Sequence, residues 1–411
     1  MQTAEKPWTV IVAGGGYSGV LAANRVQGRL RGRAKVLLVT PDAALTERIR
    51  LHQLAVHGRE IRQPYARLLA RGIERIRARV VDLEPHANRL AIQAADSGMS
   101  DPDMRWLEYD ALILALGSQL TTQIPMASPL SAALRDVAHA QQLSVALPRL
   151  AAGERVLVVG GGLSAIELAA ELAEAYPRLQ IELLAEQFAH GLDEATRQVL
   201  RDELQALGMQ IREGARVSQL EQDGVRLEDG SQIAAALSVL ASGFVPTPLP
   251  AVASLPQSTD GRVLLDVQLR VQGLANVFAA GDFAAPPAET VGSGLNTTRM
   301  GCVNAMPLGA HAADQVVRLL THKPLQPFHT GYMIQCISIG RERGVVVFVD
   351  RDDRPTGRVV RGRVAAMVKE LICRLVVGGL RLERLIPGVY AWPEQHRSGT
   401  LSEPTIKQLS A

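Results

Sequence analysis

Apolar and polar positions along the chain form two similar blocks. Each block has a short apolar run, a glycine-rich loop, a helical apolar pattern and a second apolar run. The first strands are 9–13 and 155–159, the loops 14–19 and 160–165, the helices 20–30 and 166–175, and the second strands 35–39 and 180–184. Short, continuous apolar runs are typical of central strands in a parallel sheet. The pattern therefore predicts two βαβ units and two doubly wound nucleotide-binding domains.

The rest of the chain predicts shorter strands and a third region. Antiparallel strands are expected around a polar loop at 96–103, and three buried strands end close to glycines. The expected antiparallel strands are 80–83, 89–92 and 106–107. The buried strands that end close to glycines are 110–116, 237–241 and 276–280. From about residue 329 the pattern is β-like and then helical. The predicted fold class is α/β, with two Rossmann-like dinucleotide-binding domains and a small C-terminal α+β region.

The segment 361–377 has apolar residues at helical spacing, with basic residues on the other side. The apolar stripe consists of Val364, Met367, Val368, Leu371, Ile372, Leu375 and Val376, and the polar side carries Arg361, Arg363, Lys369 and Arg374. A helix packed on a core or at a dimer interface has this pattern, and so does a helix that lies on a membrane. We expect the stripe to be packed.

Composition narrows the class of protein. The chain has 411 residues, 47% of them hydrophobic, which is enough for two or three domains and excludes a disordered protein. No apolar run approaches the roughly 20 residues of a spanning helix, and the N-terminus does not resemble a signal peptide. The three cysteines (Cys302, Cys336 and Cys373) are widely spaced, which indicates a reducing compartment. We therefore expect a cytoplasmic location, with contact at the inner face of the membrane left open.

Net charge is +3, but residues 25–79 hold 14 Lys and Arg against 4 Asp and Glu, a surplus of 10. A solvated basic face accounts for this surplus, and sites for phosphates or an anionic membrane surface are the alternatives. Aromatic residues do not interleave with the basic ones, so nucleic acid is not expected as a partner.

The two glycine loops are the first feature of the sequence that indicates a ligand. Between a strand and a helix, the first glycine turns the chain, the second admits a pyrophosphate and the third lets the helix pack on the strand. Gly14, Gly16 and Gly19 fit these roles, while the second loop ends in Ala165, a tolerated variant. Two such loops predict two dinucleotides, which suit an electron donor and an electron acceptor.

The order of the motifs then indicates a family. The motifs are GGGYSG at 14–19, ALGS at 115–118, GGGLSA at 160–165, ASGF at 241–244 and AAGDFA at 279–284. This order resembles the pyridine nucleotide–disulfide oxidoreductase superfamily over about three quarters of the chain. Within it, LHQLA at 51–55 is similar to a stretch of the type II NADH:quinone oxidoreductases, the branch that also includes apoptosis-inducing factor. The resemblance implies FAD and NAD(P)H as cofactors.

The resemblance also implies roles for single residues. Asp282 matches the aspartate that hydrogen-bonds the ribityl chain of FAD, and Val80 matches a backbone contact to adenine. Glu167 matches a glutamate near the nicotinamide and flavin, although an acid near a helix start also suits the helix dipole. In the second unit, Glu186 follows Ala185 at the end of the second strand. A carboxylate there repels a 2′-phosphate, which slightly favours NADH.

Two departures limit the resemblance. The first cysteine is Cys302, so a redox-active cysteine pair near the first glycine loop is excluded, together with disulfide reductase activity. The family's paired glutamines after the GD motif are absent from 301–309. This absence puts a quinone acceptor in doubt and leaves Asn304 or Arg299 for polar contacts.

Other predicted contacts surround the flavin. Arg48 or Arg50 is expected to pair with phosphate oxygens, with a surface pair to Glu47 as the alternative. His52 is a candidate proton donor to the acceptor, with a structural histidine as the alternative. No metal site is predicted. The full site comprises Glu167 and His52 as catalytic residues, and Gly14, Gly16, Tyr17, Ser18, Gly19, Thr40, Arg48, Gln53, Val80, Ala115, Gly117, Gly160, Gly162, Ala165, Glu186, Gly243, Gly281, Asp282 and Asn304 as cofactor-binding residues.

The predicted organisation is an FAD-binding domain (1–122 with 259–328), an NAD(P)H-binding domain (123–258) and a C-terminal domain (329–411). The predicted function is FAD-dependent oxidation of NAD(P)H, with electrons passing to a quinone or another small acceptor. Three alternatives stay open: a flavoenzyme acting on a small metabolite in a biosynthetic pathway, an NADH-responsive redox protein like apoptosis-inducing factor, and a reductase for an iron–sulfur protein. Peripheral membrane contact and a homodimer are also open.

Overall fold

The computed structural model describes residues 6–96, 104–120, 124–125, 132–134, 136–241, 243–249, 254–291 and 298–393. Most of the predicted loop at 96–103 therefore lies outside the described residues. The helices of the described residues are α1 (Tyr17–Leu30), α2 (Leu51–His57), α3 (Tyr65–Leu68), α4 (Val137–Ala146), α5 (Leu163–Ala175), α6 (Glu194–Gln205), α7 (Cys302–Leu320) and α8 (Arg363–Leu385).

The first large sheet has seven strands. In spatial order they are Val277–Ala279, Ala111–Leu114, Trp8–Ala13, Ala34–Thr40, Ile73–Glu84, Arg89–Ala94 and Met104–Glu108. The first five are parallel, and the last two continue the sheet antiparallel. The central strand is buried throughout residues 10–13, as its uninterrupted apolar run requires. The strand Val277–Ala279, which precedes Gly281 and Asp282, thus lies at the edge of the sheet beside Ala111–Leu114.

The second large sheet is wholly parallel. Its strands, in spatial order, are Ala132–Ala133, Leu237–Leu240, Arg155–Val159, Gln180–Ala185 and Gln210–Glu213. An antiparallel sheet of Val217–Glu221, Gly224–Leu227 and Gln232–Ala234 follows it. Short two-stranded pairs join Ser118–Leu120 to Phe244–Pro246, Ala44–Thr46 to Arg62–Pro64, and Val263–Leu264 to Ala284–Ala285. The predicted α/β class with two Rossmann-like units is confirmed; the domain bounds stay a prediction.

The C-terminal unit is an antiparallel sheet followed by α8. Its strands are Ile334–Ile339, Arg343–Val349 and Pro355–Arg361. Helix α8 packs on this sheet and on α1, while α5 packs on the first strand of the sheet. The C-terminal unit therefore contacts one helix from each of the two large units.

The expected packing of the apolar stripe of α8 is wrong for four of its seven residues and right for Val376, which is 7% exposed. Val364, Met367, Leu371 and Leu375 of the predicted stripe are 56–71% exposed, while the Lys369 side chain is only 18% exposed. Lys369 faces inward because its ammonium pairs with Glu167 and donates to the Cys336 carbonyl at 2.9 Å. Hydrophobic periodicity locates a stripe on a helix, but it does not reveal that partners on neighbouring elements hold the opposite face.

A buried ion pair fastens α8 to α1. The Arg25 Nε lies 2.8 Å from Glu383 Oε1, and both side chains are at most 2% exposed. The same guanidinium reaches Asp314 on α7 at 3.3 Å and donates to the carbonyl of Tyr390. One arginine thus joins α1, α7, α8 and the segment that follows α8.

Candidate functional site

The first glycine loop has the backbone that its three predicted roles require. Gly14 has φ of +122°, and a Cβ there would lie 2.0 Å from the Ala115 carbonyl oxygen. A Cβ on Gly19 would lie 1.9 Å from the Gly14 oxygen, so only glycine lets α1 pack this closely. A Cβ on Gly16, in contrast, would meet nothing within 4 Å. Gly14 and Gly19 are therefore required by the protein itself, and Gly16 borders open space.

The start of α1 offers hydrogen-bond donors to that space. Gly16 is its N-cap and no side chain caps the helix, so the first-turn N–H groups lack a side-chain acceptor. Tyr17 is buried, and its hydroxyl has no partner among the described residues. Free N–H groups at a helix start bind phosphate, and a buried hydroxyl without a partner needs one. These features fit the pyrophosphate and ring system of a bound FAD.

Two further predicted positions lie beside α1. A Cβ on Gly281 would lie 2.7 Å from the Ser18 hydroxyl, which places the GD motif next to the first glycine loop. Both carboxylate oxygens of Asp282 are engaged, one by the Ser118 hydroxyl and one by the Gly301 N–H, each at 2.7 Å. Asp282 thus joins Ser118, the first residue of the strand Ser118–Leu120, to Gly301 at the start of α7.

Thr40 and Val80, two of the predicted FAD contacts, lie on adjacent strands of the first sheet. Thr40 is buried at the end of its strand, and Tyr65 donates to the Gly15 carbonyl at 2.9 Å. Burial raises the pKa of Tyr65 to about 12, so its hydroxyl stays protonated. Val80 lies at a bulge in the pairing of Ile73–Glu84 with Arg89–Ala94, where the ladder of backbone hydrogen bonds is interrupted. A backbone contact at Val80 is compatible with this interruption.

The predicted phosphate arginines differ in their surroundings. Arg50 is buried and pairs with Glu370 on α8 at 2.7 Å and with Glu47 at 3.2 Å, the pairing given as its alternative. It also donates to Gln53, so Gln53 is held by the same cluster. Arg48 donates to the Ser118 carbonyl and lies 5.3 Å from the Phe244 ring centroid. Arg48 therefore bridges the two strands that connect the large units.

The second glycine loop borders a cavity of about 400 Å³. Gly160 has φ of +145°, Gly162 caps α5 without a side-chain acceptor, and Ala165 is fully buried. Such volumes are typical of small-molecule sites. Its lining includes Gly160, Gly161, Glu186, Gln187, His190 and Arg216. Of the residues predicted to bind the nicotinamide nucleotide, Gly160 and Glu186 line this cavity.

The structure adds an arginine to this cavity that the sequence did not reveal. Glu186 follows the strand end at Ala185, and its carboxylate lies 2.8 Å from the Arg216 guanidinium. Arg216 also lies 3.8 Å from Glu228. Arg216 is 30 residues from Glu186 in the sequence, and it comes close because it follows the strand Gln210–Glu213, which pairs with Gln180–Ala185.

Glu167 lies where three units meet. Its carboxylate pairs with Lys369 on α8 at 2.8 Å and accepts from the Ser338 N–H at 3.0 Å. Although burial opposes ionisation, the nearby Lys369 and His52 lower the pKa of Glu167. The pairing raises the pKa of Lys369, whose charge also interacts with Cys302 at the start of α7. A fixed positive charge is thus held near the GD motif; Lys369 had been placed on the polar side of its helix.

His52 is buried, and its Nε2 has no hydrogen-bond partner among the described residues. It lies 3.9 Å from Glu171 Oε2 on α5. Burial lowers the pKa of His52 to about 4, so the ring is neutral near pH 7. A neutral imidazole can accept a proton on one nitrogen and donate one from the other. Its predicted role as a proton donor stays a prediction.

The remaining predicted positions lie around these groups. Asn304 donates to the Arg299 carbonyl at 2.6 Å and to the Tyr332 hydroxyl at 2.8 Å, so its amide is turned toward the C-terminal unit. Gly117 and Gly243 have φ of +71° and +81°, and they flank the paired strands that connect the two large units. All three cysteines are free thiols, and burial raises the pKa of each.

Comparison with known proteins gives three findings. The family model for pyridine nucleotide-disulphide oxidoreductases matches residues 8–309. An NADH dehydrogenase-like protein of Mycobacterium tuberculosis is 27% identical over 80% of this chain and 85% of its own, and the demethylphylloquinone reductase of Synechocystis is 25% identical over 82% and 86%. The solved sulfide:quinone oxidoreductase of Aquifex aeolicus shares the fold, with a TM-score of 0.76 and 19% identity over 93% of each chain.

Proposed function

Because the chain belongs to the pyridine nucleotide-disulphide oxidoreductase family and is an NAD(P)H-dependent flavin oxidoreductase, we propose that it transfers electrons from NADH to a quinone-like acceptor. The observation that carries the proposal is the pair of uncapped helix starts, α1 and α5, each after a glycine loop. A third unit contacts α5 near its start, where Lys369 and Ser338 reach Glu167. The demethylphylloquinone reductase among the relatives supports a quinone-like acceptor.

FAD supplies, when bound, the two-electron chemistry that links donor to acceptor. The chain's own part is to bind and orient it. The start of α1 and Gly16 hold the pyrophosphate, Asp282 fixes the neighbouring backbone at Gly301, and Tyr17 offers its hydroxyl. Thr40 and Val80 lie on the adenine side.

NADH is the donor that the charges at the cavity beside the second glycine loop favour. Glu186 and Glu228 together outweigh the single Arg216 between them, which leaves a net negative charge at the end of the second strand. A carboxylate there accepts hydrogen bonds from ribose hydroxyls and repels the 2′-phosphate of NADPH. Arg216 holds Glu186 in position through their 2.8 Å contact.

The acceptor site is proposed to lie beside the Glu167–Lys369 pair. Reduction of a quinone builds negative charge on its oxygens, and a fixed ammonium stabilises such charge. Lys369 is held in one place by Glu167 and by the Cys336 carbonyl, so it needs no rearrangement during the reaction. The missing glutamines after the GD motif are thus replaced by a cation from α8.

Helix α8 is proposed to lie on a membrane, where lipid-soluble quinones are found. No helix among the described residues is long and apolar enough to cross a bilayer. Along the outer face of α8, however, Val364, Met367, Leu371, Leu375, Leu382 and Leu385 are 45–71% exposed. Arg363, Arg374, Arg381 and Arg384 lie on the same helix. Exposed apolar residues with basic neighbours are typical of helices at an anionic lipid surface.

Two experiments test this proposal. NADH oxidation by the FAD-loaded enzyme is measured with a short-chain quinone and compared with oxygen alone; a quinone that does not accelerate NADH oxidation contradicts the proposed acceptor.

Flotation with anionic vesicles compares wild type with Leu371→Glu and with Val347→Ala, a buried change on the adjacent strand. Loss of flotation only in Leu371→Glu supports membrane contact. A stable dimer that Leu371→Glu dissociates, without flotation, would instead assign the stripe to a homodimer.

A further inference from the structure

A row of titratable groups runs from the surface to the interior beside Glu167. His57, the last residue of α2, is 37% exposed, and its Nε2 lies 2.8 Å from Glu171 Oε1. The Glu171 side chain is fully buried, and its other oxygen faces His52 Nε2 at 3.9 Å. His52 is buried in turn, and its electrostatic partners include Glu167 and Lys369. The row is thus His57, Glu171, His52 and then the Glu167–Lys369 pair.

The inner half of this row has unpartnered polar atoms that face each other. Neither Glu171 Oε2 nor His52 Nε2 has a hydrogen-bond partner among the described residues. Buried polar atoms without partners are rare and call for an explanation. A separation of 3.9 Å is too long for a direct hydrogen bond, but one water molecule hydrogen-bonded to both atoms spans it. The two oxygens of Glu171 therefore face opposite ways, one toward the surface and one toward His52.

Burial favours the neutral forms of Glu171 and His52 in this row. Arg341 lies 2.7 Å from Glu171, and the charged groups around His52 are Glu167, Lys369, Arg341 and Arg50. Burial raises the pKa of Glu171 despite Arg341 and His57. Burial also lowers the pKa of His52 to about 4. Both shifts make the neutral forms easier to reach, and a group that carries protons must pass through its neutral form.

Quinone reduction requires a proton from solvent. NADH, one proton and a quinone give NAD⁺ and a quinol, because the hydride supplies two electrons and only one of the two hydrogens. Ferricyanide has no such need: NADH and two ferricyanide ions give NAD⁺, one proton and two ferrocyanide ions. A buried acceptor site therefore needs a route by which one proton reaches it, whereas electron transfer to ferricyanide does not.

We propose that His57, Glu171 and His52 form this proton route, from solvent at His57 to the acceptor site beside the Glu167–Lys369 pair. The proposal rests on the proposed quinone reduction. His57 takes up a proton from solvent and passes it to Glu171 Oε1, and Glu171 releases a proton from Oε2 through the bridging water to His52. His57 and Glu171 act through His52, so they are positioning and relay groups, while His52 faces the acceptor side.

The test compares two acceptors in the FAD-loaded enzyme. In His57→Ala and Glu171→Gln, turnover with a short-chain quinone is expected to fall about 10-fold or more, the range of a lost proton-transfer group. Turnover with ferricyanide is expected to stay within about 2-fold, since it takes up no proton. Added imidazole should restore quinone turnover in His57→Ala only. The matched control is His139→Ala, because His139 is 31% exposed and pairs with Asp136 at 2.8 Å, outside this row of groups.

A second readout does not depend on turnover. In protein labelled with ¹⁵N-histidine, Glu171→Gln should change the ring ¹⁵N shifts of both His52 and His57 and leave those of His139 unchanged. An equal fall in turnover with the quinone and with ferricyanide overturns the proton route, and so does unchanged quinone turnover in both folded variants. Absence of quinone turnover in the wild type, with ferricyanide turnover intact, overturns the proposed acceptor instead, so the two failures are distinguishable.

Discussion

At the residue scale, two glycines of the first loop are required for different reasons. A Cβ at Gly19 collides with the Gly14 carbonyl, whereas a Cβ at Gly16 enters open space. We expect Gly19→Ala to lower the free energy of unfolding by about 1–3 kcal/mol. Gly16→Ala should leave the stability of the FAD-free protein unchanged and lower FAD occupancy. Denaturant unfolding and the absorbance ratio of flavin to protein measure the two effects.

The matched control is Gly378→Ala, in the interior of α8. A Cβ there meets nothing within 4 Å, so alanine should stabilise the helix by up to about 1 kcal/mol without changing FAD occupancy. If Gly16→Ala destabilises the FAD-free protein as much as Gly19→Ala, the open space beside Gly16 is not a cofactor site.

Glu186 and Arg216 give a prediction about donor choice. Glu186→Gln removes the charge that repels a 2′-phosphate and leaves Arg216 free to bind one. We expect the ratio of kcat/KM for NADPH over NADH to rise about 10-fold or more, because repulsion between like charges costs several kcal/mol. The double variant Glu186→Gln with Arg216→Ala should lose most of that gain. An unchanged ratio in Glu186→Gln contradicts the assignment of Glu186 to the ribose.

Single residues were predictable from sequence where a backbone requirement fixes the residue type. Gly14 and Gly19 are such positions, and the structure shows the close approaches that exclude a side chain. Lys369 and Arg216 were not predictable as site residues, because their roles depend on partners more than 25 residues away in the sequence. A lysine or arginine on an amphipathic segment looks solvent-exposed unless its partner is known.

At the element scale, the packing of α8 depends on the buried pair of Arg25 and Glu383. Glu383→Gln leaves the Arg25 charge buried without its carboxylate, which should cost about 3–5 kcal/mol of folding free energy. The control is Arg374→Ala: Arg374 pairs with Glu370 but is 73% exposed, so the expected cost is within about 1 kcal/mol. Chemical denaturation measures both. Equal losses would mean that the buried pair has no special role.

The strands and helices of the two large units were predictable because their apolar runs are continuous and end at glycines. Arg155–Val159 was predicted to the residue, and α1 begins three residues before the predicted 20–30. The orientation of the first half of α8 was not predictable, because its inner face there carries Lys369 and Glu370, whereas the buried residues Val376, Val377 and Leu380 lie in its second half. Their partners, Glu167 and Arg50, come from two other units of the chain.

At the scale of the whole molecule, two buried histidines predict how stability depends on pH. Burial lowers the pKa of both His52 and His311 to about 4, against about 6.5 in an unfolded chain. As pH falls from about 6.5 to about 4, the unfolded chain therefore binds protons that the folded chain does not, and stability decreases. Urea unfolding across this range should show the loss, and His311→Gln should reduce its slope. A pH-independent free energy of unfolding contradicts the burial of neutral rings.

The sequence indicated the doubled dinucleotide architecture, and the family match over residues 8–309 confirms the resemblance. It could not indicate how the two halves and the C-terminal unit meet. That arrangement depends on long-range contacts such as Glu167 with Ser338, 171 residues apart. The proposed acceptor site lies at this junction, which explains why motifs identified the cofactors more readily than the acceptor.

The most direct test of the central proposal is an anaerobic titration of the FAD-loaded protein with NADH, followed by visible absorbance and then by addition of a short-chain quinone. We predict that roughly stoichiometric NADH bleaches the flavin absorbance, that NADPH does so less efficiently, and that the quinone restores it. A flavin that neither nucleotide bleaches would contradict the assignment of the cavity beside the second glycine loop to the donor. Bleaching that the quinone does not reverse would contradict the assignment of the acceptor.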